Sequence, residues 1–149
     1  KPMNWFVSKS GDHKMKGLIF STLLITVSSS AVMANQCGLD SFSESQLRLG
    51  SYYRSQAATS LNVNCSQAYT IKFASQNLVS SDGASFVSNG AYKLKTRMSI
   101  SGATRNLWNV PLSAQGSNKY VVAVQLEDAP SIRVPAGRYT DMIYVNLSF

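Results

Sequence analysis

The sequence predicts an all-β fold, a sandwich or a barrel built from short strands. Turn-forming residues interrupt the chain at 50–51, 80–83, 89–90, 101–102, 115–118 and 135–137. Between these turns the runs are rich in Val, Ile, Thr and Tyr, and some of them alternate apolar and polar residues, as in Leu61, Val63 and Cys65. No window shows a sustained helical period with capping residues. Several short strands separated by turns are typical of a β-sandwich or a β-barrel.

Six segments between the turns have the composition of strands. They are Gln46–Tyr53, Ser60–Cys65, Tyr69–Ala74, Ala91–Ile100, Lys119–Glu127 and Tyr139–Phe149. The last segment has the clearest pattern, because Ile143, Val145, Leu147 and Phe149 occupy alternate positions, which predicts a strand with one buried face. A strand of this kind must pair with another strand. The pattern therefore favours assembly over catalysis.

The chain is expected to consist of a leader, residues 1–34, and one domain over residues 35–149. Basic residues precede the apolar run Gly17–Val27, and Val32-Met33-Ala34 has the small residues of a cleavage site. This is the pattern of a secretory signal peptide, here over residues 14–34. The apolar run is shorter than the about 20 residues that a membrane-spanning helix needs.

Charge and cysteine content limit the classes of function open to residues 35–149. This part contains ten Lys/Arg and six Asp/Glu, a net charge of +4, against +7 for the whole chain. The cations form no cluster, so nucleic acid is not an expected partner. Cys37 and Cys65 are the only two cysteines. In an exported protein such a pair predicts a disulfide, with a free or a metal-bound pair as the alternative.

The residues that catalysis and metal binding need are scarce. His13 is the only histidine and precedes the expected cleavage site, which excludes Ser-His-Asp and Cys-His arrangements from the mature domain and most zinc sites with them. Of six scattered carboxylates only Glu127 and Asp128 are adjacent. We expect solvated loop charges here, rather than a glycosidase pair or a calcium site. The sequence therefore predicts no enzyme, no metal and no cofactor.

Most aromatic residues are expected in the core or in cross-strand pairs, with a sugar-binding platform as the alternative. Trp108 is the candidate for an exception. It lies in the loop-like segment 104–109, between turn signals. We therefore expect Trp108, rather than the strand aromatics, to face a ligand.

Four segments of the chain carry a resemblance to a known family. They are Leu47–Tyr52, Leu61–Cys65, Tyr69–Phe73 and Val134–Asp141. The last is the most specific, through Gly137, Tyr139 and Asp141. Together with Cys37 they resemble the spore coat protein U domain, a family that includes the pilins of archaic chaperone–usher fimbriae. Between residues 79 and 116 the similarity is thin.

This resemblance implies an incomplete immunoglobulin-like β-sandwich that lacks its last strand. A hydrophobic groove would lie beside the C-terminal strand, and Ile143, Val145, Leu147 and Phe149 would face this groove or the core beneath it. A periplasmic chaperone would lend a strand to the groove, and a neighbouring pilus subunit would later replace that strand. The carboxylate of Phe149 would bind a basic chaperone residue. A central strand in a complete sandwich is the alternative.

The resemblance also implies a function and a location. The chain would be a structural subunit of a fimbria or coat, exported to the periplasm and assembled on the cell surface through an outer-membrane usher. Cleavage after Ala34 leaves two residues before Cys37, too few for a donor strand, which implies a subunit at the fibre tip. If Leu23–Ala34 is retained as a donor strand, a shaft subunit is implied instead. A self-sufficient secreted β-sandwich that binds a glycan or a host protein is the second hypothesis.

Overall fold

The fold is built from β-strands. The structure is a computed structural model that describes residues 3–11, 37–40, 42–44 and 46–149. Its strands are β1 (Met3–Gly11), β2 (Cys37–Leu39), β3 (Gln46–Leu49), β4 (Gln56–Ser75), β5 (Ala84–Asn89), β6 (Tyr92–Ser101), β7 (Leu112–Leu126) and β8 (Thr140–Ser148). The all-β prediction is confirmed for these residues. Among them there is no helix with the length and apolarity that crossing a membrane requires.

The strands close into a barrel-like sheet. Their order is β2-β4-β7-β6-β5-β8-β1-β3, and an additional pairing joins β4 to β8. Strand β4 makes this closure possible because it is long. Its first half pairs with β2, and its second half pairs with β8 from Thr70↔Ser148 to Ser75↔Ile143. The strands β4-β7-β6-β5-β8 form a closed ring, which agrees with the barrel among the two predicted architectures. The immunoglobulin-like sandwich stays a hypothesis.

Strand β4 spans two predicted strands and the segment between them. Its register against β7 shifts between Asn64 and Ala68, and on β7 the same region contains Gly116, with a φ of 73°. The predicted turn at 115–118 is therefore wrong, since these residues lie inside β7. A glycine in the left-handed region can form a β-bulge without ending the ladder. Gly116 therefore has the backbone conformation of a turn residue, but the chain does not reverse direction there.

The disulfide prediction is confirmed. Cys37 and Cys65 are bonded across the register pair that joins β2 to β4, 28 residues apart in the sequence. Strand β2 has only three residues and no counterpart among the predicted strands. The disulfide therefore attaches the first described residues of the domain to the middle of the longest strand.

Aromatic residues form the centre of the core. The Phe73 ring lies 6.1 Å from the Trp108 ring and 5.7 Å from the Tyr120 ring. The hydroxyls of Tyr69 and Tyr120 are hydrogen-bonded at 2.7 Å, and the amide of Asn118 donates to the Tyr69 oxygen at 2.9 Å. Burial raises the pKa of Tyr120 above its ordinary value. These strand tyrosines therefore combine apolar packing with a satisfied polar tip.

Strand β1 lies within the expected leader. No strand is predicted for residues 3–11, whereas the structure pairs Met3–Gly11 with both β8 and β3. The cleavage site after Ala34 and the alternative donor strand Leu23–Ala34 lie outside the described residues. Both stay predictions.

Candidate functional site: the outer edge of strand β8

Strand β8 carries a ladder on each of its edges. Residues 143–147 pair with β4 and also with β1. The two neighbours of a strand residue lie on opposite edges, so β8 is a central strand in this structure. Its partner on the outer edge, β1, runs parallel to it through eight register pairs, from Asn4↔Thr140 to Gly11↔Leu147.

Strand β3 is connected to the sheet through β1 alone among the described strands. The two pair antiparallel from Met3↔Leu49 to Phe6↔Gln46. Without β1, the outer edge of β8 and the facing edge of β3 would form a slot one strand wide. Two strand spacings, about 10 Å, separate such walls. Both walls would then present unpaired backbone donors and acceptors, a template for a further strand.

The core beneath this slot is apolar. Ile143 and Val145 are fully buried and Leu147 is 5% exposed. They belong to one buried cluster together with Leu47 and Leu49 of β3. The two β3 leucines are not among the predicted groove residues, although their alternation is visible in the sequence. Two positions are too few for a periodic signal, so only their pairing partner could have identified them.

Phe149 lies beyond the last residue of β8. Its side chain is about half exposed, in contrast to the three buried β8 residues. The structure therefore brings Ile143, Val145 and Leu147 together beneath the slot and leaves Phe149 at its end. The proposed contact between the Phe149 carboxylate and a chaperone stays a prediction.

Asp141 fixes the start of β8. Its Oδ1 accepts hydrogen bonds from the backbone amides of Asn77, at 3.0 Å, and Met142, at 2.7 Å. Its Oδ2 accepts from the hydroxyls of Ser75, at 2.8 Å, and Ser85, at 2.9 Å. Burial raises the pKa of this carboxyl, against the lowering effect of the hydrogen bonds. The side chain connects β8 to β4 and β5, so its role is positional.

Tyr139 and Gly137 shape the loop that leads into β8. Tyr139 is buried, and its hydroxyl donates to the backbone oxygen of Pro135 at 2.9 Å. Gly137 lies against the side-chain amide of Asn89, which would have to shift to admit a Cβ at that position. Tyr139, Gly137 and Asp141 therefore position the entry to β8, and the slot itself is lined by other residues.

Trp108 is a core residue, which contradicts the expectation that it faces a ligand. Its side chain is 0% exposed. The backbone nitrogen of Trp108 donates to Ser81 at 2.8 Å, and that of Asn109 donates to Phe73 at 2.6 Å. Asn109 has a φ of 58°, which turns the chain sharply at this point. The loop is held against the barrel, and the indole fills its interior.

The adjacent carboxylates Glu127 and Asp128 each have a structural partner on β6. Glu127 Oε1 accepts from Arg97 Nε at 2.8 Å, and Asp128 Oδ2 accepts from the backbone nitrogen of Lys95 at 2.8 Å. Arg97 also forms an ion pair with Asp82 at 3.2 Å. Within the part of the chain that the structure describes, no group of three or more His, Cys, Asp or Glu residues could hold a metal ion.

Comparison with known proteins gives matches among solved structures alone. No protein-family model matches the chain, and no curated protein matches it either. Six chains of solved structures match. Among them is the CsuC–CsuE chaperone–tip adhesion subunit pre-assembly complex from the archaic chaperone–usher Csu pili of Acinetobacter baumannii, at 18% identity and a TM-score of 0.48. The match covers 77% of this chain and 40% of that chain. The resemblance to the spore coat protein U domain therefore stays a hypothesis.

Proposed function

We propose that residues 35–149 are a strand-accepting structural subunit of a bacterial surface fimbria or coat. The observation that supports this proposal is the outer edge of β8. In the described part of the chain, that edge and the facing edge of β3 pair only with Met3–Gly11, a segment of the expected leader. A domain cleaved after Ala34 loses this strand and needs another one in its place.

An incoming strand would be held by backbone pairing and by apolar contact. The backbone hydrogen bonds supply affinity, and side chains at alternate positions supply specificity. Five buried apolar side chains, on β3 and β8, lie beneath the slot: Leu47, Leu49, Ile143, Val145 and Leu147. At about 1.5–3 kcal/mol for each fully buried side chain, covering them contributes on the order of 10 kcal/mol as an upper bound. An empty slot would expose this surface and promote aggregation.

The expected partners in this mode of binding are those of the archaic pilins that the chain resembles. A periplasmic chaperone would occupy the slot after export, and a strand of another pilus subunit would replace the chaperone strand at an outer-membrane usher. Cleavage after Ala34 leaves no segment long enough to be donated in turn, which favours a position at the fibre tip. These finer assignments depend on the resemblance to the archaic pilins and on the cleavage site.

The proposal is tested with oxidised protein of residues 35–149 and a synthetic peptide that alternates apolar and polar residues. We expect the peptide to convert an aggregating chain into a monomer with cooperative urea unfolding. A peptide of the same composition with its apolar residues consecutive is the control, and it should have no such effect. A cooperative monomer that ignores both peptides would contradict the proposal and favour a self-sufficient binding module.

A matched pair of variants locates the peptide on the slot. Leu49→Asn alters a buried β3 side chain, whereas Arg48→Asn alters its exposed neighbour on the opposite face. We expect Leu49→Asn to weaken peptide binding strongly and Arg48→Asn to leave it unchanged. Equal effects of the two substitutions would place the peptide elsewhere.

A further inference from the structure

A second surface lies at the end of the barrel where β8 begins. The loop before β8, residues 127–139, meets the loop between β3 and β4 and the first residues of β6. Together they form an open cavity lined by Ser51, Leu94, Pro130, Val134, Pro135 and Tyr139, among others. No charged side chain is part of this lining. The cavity is therefore apolar and concave, as sites for small ligands are.

Exposed hydrophobic residues are close in sequence to the residues that line the cavity. Tyr52 follows the lining residue Ser51, Tyr92 precedes Leu94 by two positions, and Ile132 lies between Pro130 and Val134. Both tyrosines are more than half exposed, and Ile132 is fully exposed. Tyr53, also half exposed, has the Arg54 guanidinium 5.3 Å from its ring centre. Large exposed apolar residues on the segments that line one cavity favour a binding surface, whereas scattered ones do not.

Two arginines of the loop before β8 have no acidic partner among the described residues. Glu127 is bonded to Arg97, and Asp128 is bonded to the backbone of Lys95. Arg133 and Arg138, in the same loop, are exposed, and neither forms an ion pair with any of the described residues. Two cationic residues on the loop that lines the neutral cavity thus remain available to an anionic partner.

We propose that this end of the barrel binds an acidic saccharide, a sugar chain that carries carboxylate or sulfate groups. Tyrosine rings and proline faces offer flat apolar surfaces to the C–H faces of pyranose rings. Arginine matches carboxylate and sulfate oxygens with paired N–H donors. The apolar lining and the flanking arginines together fit a ligand that has both kinds of surface.

This inference goes beyond the strand-accepting role and does not depend on it. The lining residue Tyr139 directly precedes β8, whereas Leu147 lies eight residues further along the chain, about 26 Å from this end of the slot. A substitution at the far end of the slot therefore separates the two experiments. Leu147→Asn should lose peptide binding and keep saccharide binding.

The test uses the full chain and three immobilised oligosaccharides of equal length: one sulfated, one built of uronic acids and one neutral. We expect binding to both acidic probes and little to the neutral one. The double variant Arg133→Gln/Arg138→Gln should weaken binding about tenfold or more, as expected for the loss of charge-assisted hydrogen bonds. Tyr52→Ser and Tyr92→Ser should weaken it by a smaller factor.

The control double variant is Arg105→Gln/Lys119→Gln. It removes the same net charge from exposed positions in the loop that follows β6 and on β7. We expect its affinity to stay within about twofold of the unaltered chain. An equal loss in both double variants would reveal unspecific attraction and overturn the proposal. Equal binding of the neutral probe, or binding of none of the three, would overturn it as well.

Discussion

Substitution of Asp141 separates two contributions to the start of β8, hydrogen bonding and charge. Asp141→Asn keeps an oxygen for the backbone amides of Asn77 and Met142. Its amide nitrogen can donate to the hydroxyls of Ser75 and Ser85, because a serine hydroxyl both donates and accepts and can rotate. Asp141→Ala removes all four hydrogen bonds that the carboxylate accepts.

The expected magnitudes differ accordingly. In Asp141→Ala, two backbone N–H groups lose their side-chain acceptor, at about 1–3 kcal/mol each. We expect the free energy of unfolding to fall by about 2–6 kcal/mol at pH 7, towards the lower value because a buried charge disappears as well. Asp141→Asn should cost about 1 kcal/mol or less, because each of the four groups retains a partner.

The pH dependence gives a second, independent readout. Burial raises the pKa of Asp141 above its ordinary value of 3.8, so the folded state binds the proton more tightly than the unfolded state. The stability that this raised pKa contributes is fully present below the pKa of Asp141 in the unfolded state. It is lost as the pH rises through the pKa of Asp141 in the folded state. Relative to Asp141→Asn, the unaltered chain should therefore gain stability as the pH falls from 7 towards 4.

Urea unfolding followed by tryptophan fluorescence measures these differences, since Trp108 is buried in the folded state. The measurement is kept above pH 4, because Asp82 has the opposite behaviour. Hydrogen bonding from Ser80 lowers the pKa of Asp82 to about 2, so Asp82 stays ionised throughout this window. The reasoning fails if Asp141→Asn costs as much as Asp141→Ala, or if the difference from the unaltered chain is the same at pH 7 and pH 4.5.

Three further predictions concern the scaffold. Gly102→Ala should lower the free energy of unfolding by about 1–3 kcal/mol more than Gly90→Ala, as measured by thermal unfolding of both variants. Both glycines have a positive φ, but of the two only Gly102 has a backbone oxygen where a Cβ would lie. Cys65→Ser should cost about 3–4 kcal/mol in urea unfolding, and reduction of the unaltered chain should cost the same. Trp108→Ala should lower the free energy of unfolding by about 3–5 kcal/mol. Trp108→Phe should lower it clearly less, because the indole nitrogen has no hydrogen-bond partner to lose. Equal losses in the two variants would contradict this prediction.

The alternation of buried side chains in β8 could be predicted from the sequence because it is a local property. Ile143, Val145 and Leu147 repeat with a period of two, and that period requires no knowledge of the rest of the fold. The disulfide was predictable for a similar reason, since the chain has only two cysteines. Features that depend on a short segment, or on a single pair of residues, could therefore be predicted from the sequence.

The closure of the sheet and the walls of the slot depend on pairing between distant segments. Nothing in the composition of β4 indicates that its second half pairs with β8, or that β3 lies one strand away from β8. Gly116 shows why even a strong local signal fails. The same residue type serves a reversing turn and a bulge inside a strand, and only the partner strand distinguishes them. The prediction for Trp108 was wrong for a related reason. Its polar sequence neighbours indicate an exposed loop, whereas backbone hydrogen bonds to Ser81 and Phe73 hold this loop against the barrel.

The direction of the strand that enters the slot follows from the orientation of its two walls. Strand β1 is parallel to β8 and antiparallel to β3, so the two walls run antiparallel to each other. Any strand between them is parallel to one wall and antiparallel to the other. The ladder with β8 has eight register pairs and that with β3 has four. Because antiparallel pairing is slightly more stable per residue, a strand antiparallel to β8 places the stronger pairing on the longer wall. Under the proposed function, a strand antiparallel to β8 would therefore be favoured over one that runs parallel to it as β1 does.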